Sequence, residues 1–232
     1  GINMKIDLHC HTKKTKSGDP ETRNVTKEVF IEKLVSALVS FVAITNHNHF
    51  DLKQYNEFSA NEKGITVFPG IELDIIGTES HGHCLLITSP DNASVFDIFV
   101  KNLIGEKTAD EYAISIKDFV VSIRDKDYIV IPHYGSKPKS LKDNDIQYLC
   151  ENLGNIPVLL EPSNIRSAGI MIAHNKSTIL GSDVKNWENY SDAKLPEMKI
   201  SFSSYDQFLK LLRKDIPTIE TFRSEERRVG KE

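Results

Sequence analysis

Cysteine is scarce in this chain: Cys10, Cys84 and Cys150 are the only three thiols in 232 residues and none stands in CxxC spacing. That excludes a disulfide framework and a zinc ribbon. No run approaches the roughly 18 apolar residues that a membrane span requires. No charged-then-apolar leader opens the chain, so the expectation is a soluble, cytoplasmic protein. Basic charge is not in excess either, with 29 Lys and Arg against 33 Asp and Glu for a net charge of −4. A broad basic surface for sequence-independent DNA binding is thereby excluded, although a local basic pocket is compatible with it. The phosphate-loop pattern GxxxxGK[ST] is missing. Low-complexity linkers and internal repeats are missing too, and 39% apolar with 27% charged residues fits one ordinary folded domain.

What the chain does have is histidine, eight in all. Seven of them (His9, His11, His47, His49, His81, His83 and His133) fall beside acidic or polar residues, and only His174 stands apart. Short apolar runs alternate with helix-periodic segments, the pattern of an α/β domain. Strands are expected near Lys5–His9, Phe41–Thr45, Ile65–Leu73, His83–Thr88, Tyr128–Pro132, Val158–Glu161, Thr178–Gly181 and Lys199–Ser201. Helices are expected after an N-cap at Thr26, and at Phe50–Lys63, Val95–Ile104, Ile114–Lys126, Leu141–Asn152 and Ser204–Lys214. His11, His47, Glu72, His133, Glu161 and Asp183 each lie at or just past the C-terminal end of one of these strands, the rim where parallel α/β barrels build their active sites.

In Asp7-Leu8-His9-Cys10-His11 a strand period of two puts Asp7, His9 and His11 on one face, where two imidazoles can grip one cation. A pair of hydrogen-bonded histidines in a polar mouth is the plainer alternative. Glu72, in PGIELD, ends the third strand and can bridge two cations, or act as a helix cap or a salt-bridge partner. In His81-Gly82-His83, His83 is favoured as the ligand and Gly82 allows a close backbone approach. His133 and Asp183 sit on strand tips where packing does not call for them. A set of imidazoles with carboxylates suits Zn²⁺, Mn²⁺ or Fe²⁺ better than Mg²⁺ or Ca²⁺.

The ordered run DLHCHT, AITNH, PGIELD, HCLL, IPH, EPSN and GSD over about residues 5–190 resembles the PHP (polymerase and histidinol phosphatase) superfamily of metal-dependent phosphoesterases. The segments ITNHNHFD and GSDVKNW are most similar to PHP domains that precede an AAA-type ATPase. The resemblance implies a distorted (β/α)7 barrel with two or three metals at its C-terminal rim. It implies that His9, His11, Glu72 and Asp183 hold the first metal, and Glu72, His83 and His133 the second. A third metal would use Asp19 and His47, with Lys185 where the family has a histidine and Asn46 where it has an aspartate. Lys185 cannot ligate while protonated, so its ammonium is expected to replace the third cation.

The function implied is phosphoester hydrolysis, nuclease activity included. Asp183 would orient water or take its proton, and Lys137, Lys139, Arg166 and Lys185 would meet substrate phosphate. The substrate would be a phosphorylated small molecule or nucleic acid. A regulatory, non-catalytic metal-binding module beside an ATPase is the alternative. A metal-dependent amidohydrolase is a third reading, disfavoured by the ordered PGIELD and IPH pair and by the lack of a strand-borne lysine to carboxylate. Arg223–Glu232, with seven charges and no apolar period, reads as a foreign or unfolded tail. With Gly1–Asn3 also set aside, Met4–Phe222 is the expected PHP-like domain of 219 residues, followed in the native protein by an ATPase.

Overall fold

A computed structural model describes residues 4–167, 177–198, 201–213 and 219–220. His174, part of the expected last strand and the expected tail lie outside them. The chain order is β1 (Lys5–Cys10), α1 (Lys27–Ser36), β2 (Val39–Ile44), α2 (Leu52–Ser59), β3 (Thr66–Ile76), β4 (His81–Ile87), α3 (Ala93–Ile104), β5 (Ile114–Ser115), α4 (Ile116–Ile123), β6 (Ile129–Pro132), α5 (Asp143–Asn152), β7 (Glu197–Met198), α6 (Tyr205–Arg213) and β8 (Ile219–Glu220). Thr26 caps α1, accepting the Val29 N–H at 3.3 Å, and the helix buries Phe30 and Leu34 one turn apart.

The sheet runs β6-β4-β3-β2-β1-β7-β8, with β5 paired to the end of β3. It is mixed: β1, β2 and β3 are parallel, while β4 runs antiparallel between β3 and β6. The uniform βα alternation expected from the sequence breaks here, because residues 77–80 are a turn and not a helix. Isolated parallel bridges continue the sheet past β6 through Val158, Glu161 and Thr178. The Asp183 N–H then donates to the His9 carbonyl at 2.7 Å, which brings this last segment against β1 and curls the sheet.

One apolar cluster gathers Ile6, Leu8, Phe41, Ala43, Phe68, Leu85, Ile131, Leu159 and Ile179 from seven segments of the sheet. Residues from so many strands can meet only on the concave face. Phe208 and Leu209 of α6 join them. The convex face, with Val42, Ile44, Val67 and Leu86, packs under the helices in a larger cluster.

The strand period of two carries this inner face from core into site. Phe68 leads to Glu72, Leu85 to His83, Ile131 to His133, Leu159 to Glu161 and Ile179 to Asp183, each pair separated by an even number of residues. His83 precedes its apolar run and still reaches the same rim, because β4 is the antiparallel strand. Glu72 does not end its strand as expected: β3 continues to Ile76, paired with the start of β4.

β1 departs from the expected alternation. Its register with β2 shifts between Asp7 and Cys10, three steps on β1 facing two on β2. Leu8 packs inside with Ile6, and Cys10 packs outside with Val42. Asp7 therefore does not share a face with the imidazoles. Its carboxylate accepts the His9 N–H at 3.1 Å, the Ser182 N–H at 3.0 Å and the Tyr190 hydroxyl at 2.8 Å, and so props the bulge that turns His9 inward.

Candidate metal centre

Glu72 is 1% exposed, and its two oxygens face five imidazoles. Oε1 lies 3.2 Å from His9 Nε2, 3.0 Å from His11 Nε2 and 2.9 Å from His47 Nε2. Oε2 lies 3.1 Å from His83 Nδ1 and 3.0 Å from His133 Nε2. Asp183 closes the first half, with Oδ1 3.4 Å from His9 Nε2 and 3.3 Å from His11 Nε2. Those two imidazole nitrogens are 3.2 Å apart. A tetrahedral zinc shell with bonds of about 2.0–2.1 Å has ligand–ligand edges of about 3.3–3.4 Å, so His9, His11, Glu72 and Asp183 fit such an ion. Two further groups bring one donor atom from each residue within 4.8 Å of one another, His47 with Glu72 and His83, and His9 with His133 and Glu161.

His133 shows why a cation belongs here. Its Nδ1–H donates to the Pro138 carbonyl at 3.1 Å, leaving Nε2 as a lone pair that faces Glu72 and has no hydrogen-bond partner. A lone pair set against a buried carboxylate repels it unless a proton or a metal ion stands between them. His9 is oriented in the same manner, with Nδ1 2.8 Å from both oxygens of Glu161. The Trp187 indole N–H holds the His11 carbonyl at 2.9 Å, and Asp74 Oδ1 stands 2.9 Å from His83 Nε2. Asp183 and Asn48 adopt left-handed backbone conformations, at φ 46° and φ 48°, which aspartate and asparagine tolerate best after glycine.

The titration of the cluster follows from its charges. Burial works to lower the His9 pKa, but Glu161, Asp183 and Glu72 overcome it and raise the value well above the usual imidazole range. For His47 burial is likewise outweighed, here by hydrogen bonds to Asp19 and Glu72, and its pKa is about 9. Burial works to raise Glu72 and Asp183; the charge on His9 and the bonds from the other imidazoles hold both well below the carboxylate range. The metal-free cluster thus carries protons at pH 7. Metal binding at His9 is expected to release its proton, so that affinity rises with pH above neutrality. Calorimetry in buffers of different ionisation enthalpy reads this directly, and no proton release is the contrary result. Raised imidazole values also mean that the metal-free fold loses stability as pH rises from about 6.5 through 9.

The sequence-derived site residues divide into those the structure joins and those it does not. His9, His11, His47, Glu72, His83, His133 and Asp183 converge, whereas His81 is exposed near the turn. Lys137 is buried, its Nζ 3.0 Å from Asp183 Oδ2 and 3.4 Å from Glu161. Lys139 and Arg166 are exposed. Asp19 is spoken for: Oδ2 accepts the Thr15 and Lys16 N–H groups at 3.0 Å, and Oδ1 faces Arg23 and His47. Lys185 is exposed and joins none of the cluster's ion pairs among the described residues; its backbone carbonyl accepts the Thr22 hydroxyl. The cation that faces Asp19 and Asp183 is Arg23, which sequence reasoning passed over, as it did Asp74 beside His83.

No protein-family model and no curated protein matches the sequence. Solved structures do match. A Bifidobacterium adolescentis protein assigned as a metal-dependent phosphoesterase superposes with a TM-score of 0.57 at 14% identity, over 79% of this chain and 88% of that one. Endonuclease Q, solved with a 27-mer duplex bearing an abasic lesion, gives 0.62 at 13% identity, over 92% of this chain but 57% of its own. PsfC from Pseudomonas syringae PB-5123 gives 0.59 at 14% identity, over 90% and 88%. At these identities the likeness speaks for the fold.

Proposed function

We propose that this protein is a metal-dependent phosphoesterase of the PHP superfamily. The observation that carries the reading is the buried Glu72 carboxylate shared by five imidazoles, at the rim of a curled α/β sheet of the kind found in a metal-dependent phosphoesterase and in Endonuclease Q. The seven inward-facing segments support a distorted (β/α)7 barrel with one strand reversed. His9, His11, Glu72 and Asp183 would hold one divalent ion, and Glu72, His83 and His133 a second; Zn²⁺, Mn²⁺ and Fe²⁺ suit this donor set. What two such ions supply beside a phosphoryl group is positive charge and a lower pKa for water.

The chain's own residues do the remaining work. Asp183 orients the attacking water, its Oδ2 steadied by Lys137 at 3.0 Å. The Lys137 ammonium would also meet a substrate oxygen at this rim, with Arg166 and Lys185 on the exposed approach. A groove of about 440 Å³ begins where the cluster ends, at Asn48 and at Thr15, whose hydroxyl donates to the His47 carbonyl at 2.7 Å. Among the described residues Lys13, Lys14, Lys101 and Lys107 line it with His49 and Phe50, the first three pairing at its edge with Asp51, Glu21 and Asp97. That lining favours an anion longer than a single phosphate, and we read the substrate as nucleic acid. The ITNHNHFD and GSDVKNW segments support placing the domain ahead of an ATPase in a longer protein.

The experiment is turnover by the metal-loaded protein on phosphomonoesters, phosphodiesters, and single- and double-stranded DNA and RNA, with and without chelator. Chelator-sensitive phosphodiester cleavage that weakens steeply with salt is expected. Full metal occupancy with no turnover of any phosphoester would sink the catalytic reading in favour of a regulatory module.

A further inference from the structure

Arg23 is the least expected residue in the cluster. It ends a single 3₁₀ turn, Glu21–Arg23, between the exposed Glu21, Thr22 and Asn24, and yet it is 4% exposed. Every branch of its guanidinium is engaged. Nη1 donates to Asp19 Oδ1 at 2.7 Å and lies 3.4 Å from His47 Nδ1; Nη2 donates to Asp183 Oδ1 at 3.0 Å; Nε donates to the Val184 carbonyl at 3.2 Å. The group therefore stands among one imidazole and two carboxylates, Asp19, His47 and Asp183, the same kinds of donor that surround the proposed ions a few ångströms away.

We propose that Arg23 is a built-in cation that fills a third coordination corner and limits the centre to two metal ions. A cation is needed at that corner because two carboxylates face it, the buried Asp19 with Oδ1 2.7 Å from Nη1 and Asp183 with Oδ1 3.0 Å from Nη2. A guanidinium meets the need permanently, since it does not deprotonate at any working pH and its planar fork spans two carboxylates. Its atoms also occupy the space. An ion bound by Asp19 Oδ1 and His47 Nδ1, which are 2.8 Å apart, would overlap Nη1, within hydrogen-bond distance of one and 3.4 Å of the other. Unlike a metal, the guanidinium cannot be stripped by a chelator, so Asp183 keeps one anchored oxygen whether or not the ions are present.

The inference rests on the metal-centre reading, and metal counting separates the two. The wild-type protein, Arg23→Lys and Arg23→Gln are equilibrated with excess Zn²⁺ or Mn²⁺, passed through a desalting column and assayed for metal per chain by mass spectrometry. Circular dichroism and melting checks keep the comparison to folded protein. Two ions are expected in the wild type and in Arg23→Lys, which retains a cation, and three in Arg23→Gln, where Asp19, His47 and Asp183 are freed. Three ions in the wild type, or two in a folded Arg23→Gln, would overturn the inference while leaving the metal centre in place. No bound ion in any of the three proteins would overturn the metal centre itself. Should Arg23→Gln not fold, the wild-type count still decides, because a third ion there is incompatible with a guanidinium in the corner.

Discussion

Glu72→Gln is expected to lower phosphoesterase turnover on the order of 10³-fold and to cost the protein at least one bound ion, although the substitution changes almost no volume. Among the described residues the carboxylate joins both halves of the cluster, Oε1 toward His9, His11 and His47 and Oε2 toward His83 and His133. Charge stabilisation by metal ions in a phosphoryl transition state is worth several kcal/mol, and each 1.4 kcal/mol is about a factor of ten, which sets the size of the loss. Charge loss also acts on the metal-free protein. Without Glu72 the imidazoles lose part of what holds their protons, so fewer protons should be released when metal binds at pH 7. Elemental analysis, turnover and calorimetric proton counting on the same preparation test the three parts together. Retention of two ions and near-normal turnover in Glu72→Gln would mean that the carboxylate is only a counter-ion to a hydrogen-bonded histidine cluster.

The cluster was readable to the extent that it obeys local periodicity. From β3, β4 and β6 onward, alternate residues leave an apolar core and enter the site, so the end of each apolar run points to a polar side chain at the rim. This is a property of the strand itself and is visible in any single chain. Three features were not visible, and two of them depend on contacts distant in sequence. The β1 bulge is stabilised by the Ser182 N–H and the Tyr190 hydroxyl, both more than 170 residues from Asp7. The reversed direction of β4 follows from the short turn at 77–80; HGHCLLI reads alike in either direction. Arg23 is drawn inside by Asp19 on its own side and Asp183 from 160 residues away, a pair that periodicity cannot connect.

The packing of the 179–183 segment against β1 carries the other large effect. Gly181→Ala is expected to lower the melting temperature by on the order of 10 °C and to weaken metal binding in the same protein. A methyl group built at Gly181 would lie 2.3 Å from His9 Cβ and 2.8 Å from the His9 backbone nitrogen. These atoms are not the far end of a flexible chain: they belong to the strand that the Asp7 carboxylate and the Asp183 N–H hold in place. Overpacking costs typically 1–3 kcal/mol when side chains can give, and a clash with backbone stands at or above the upper end. Relief requires His9 or the 179–183 segment to move, and either movement pulls His9 away from Asp183, which now lie 3.4 Å apart at Nε2 and Oδ1. Stability and metal affinity should therefore fall together. Ser182→Ala is the milder comparison, since it adds no bulk against His9: its hydroxyl bonds the His9 carbonyl at 3.2 Å and also the Asp7 carboxylate, and its loss should cost about 1 kcal/mol. If Gly181→Ala melts and binds metal as the wild type does, the close approach of these two segments is not what sets the position of His9.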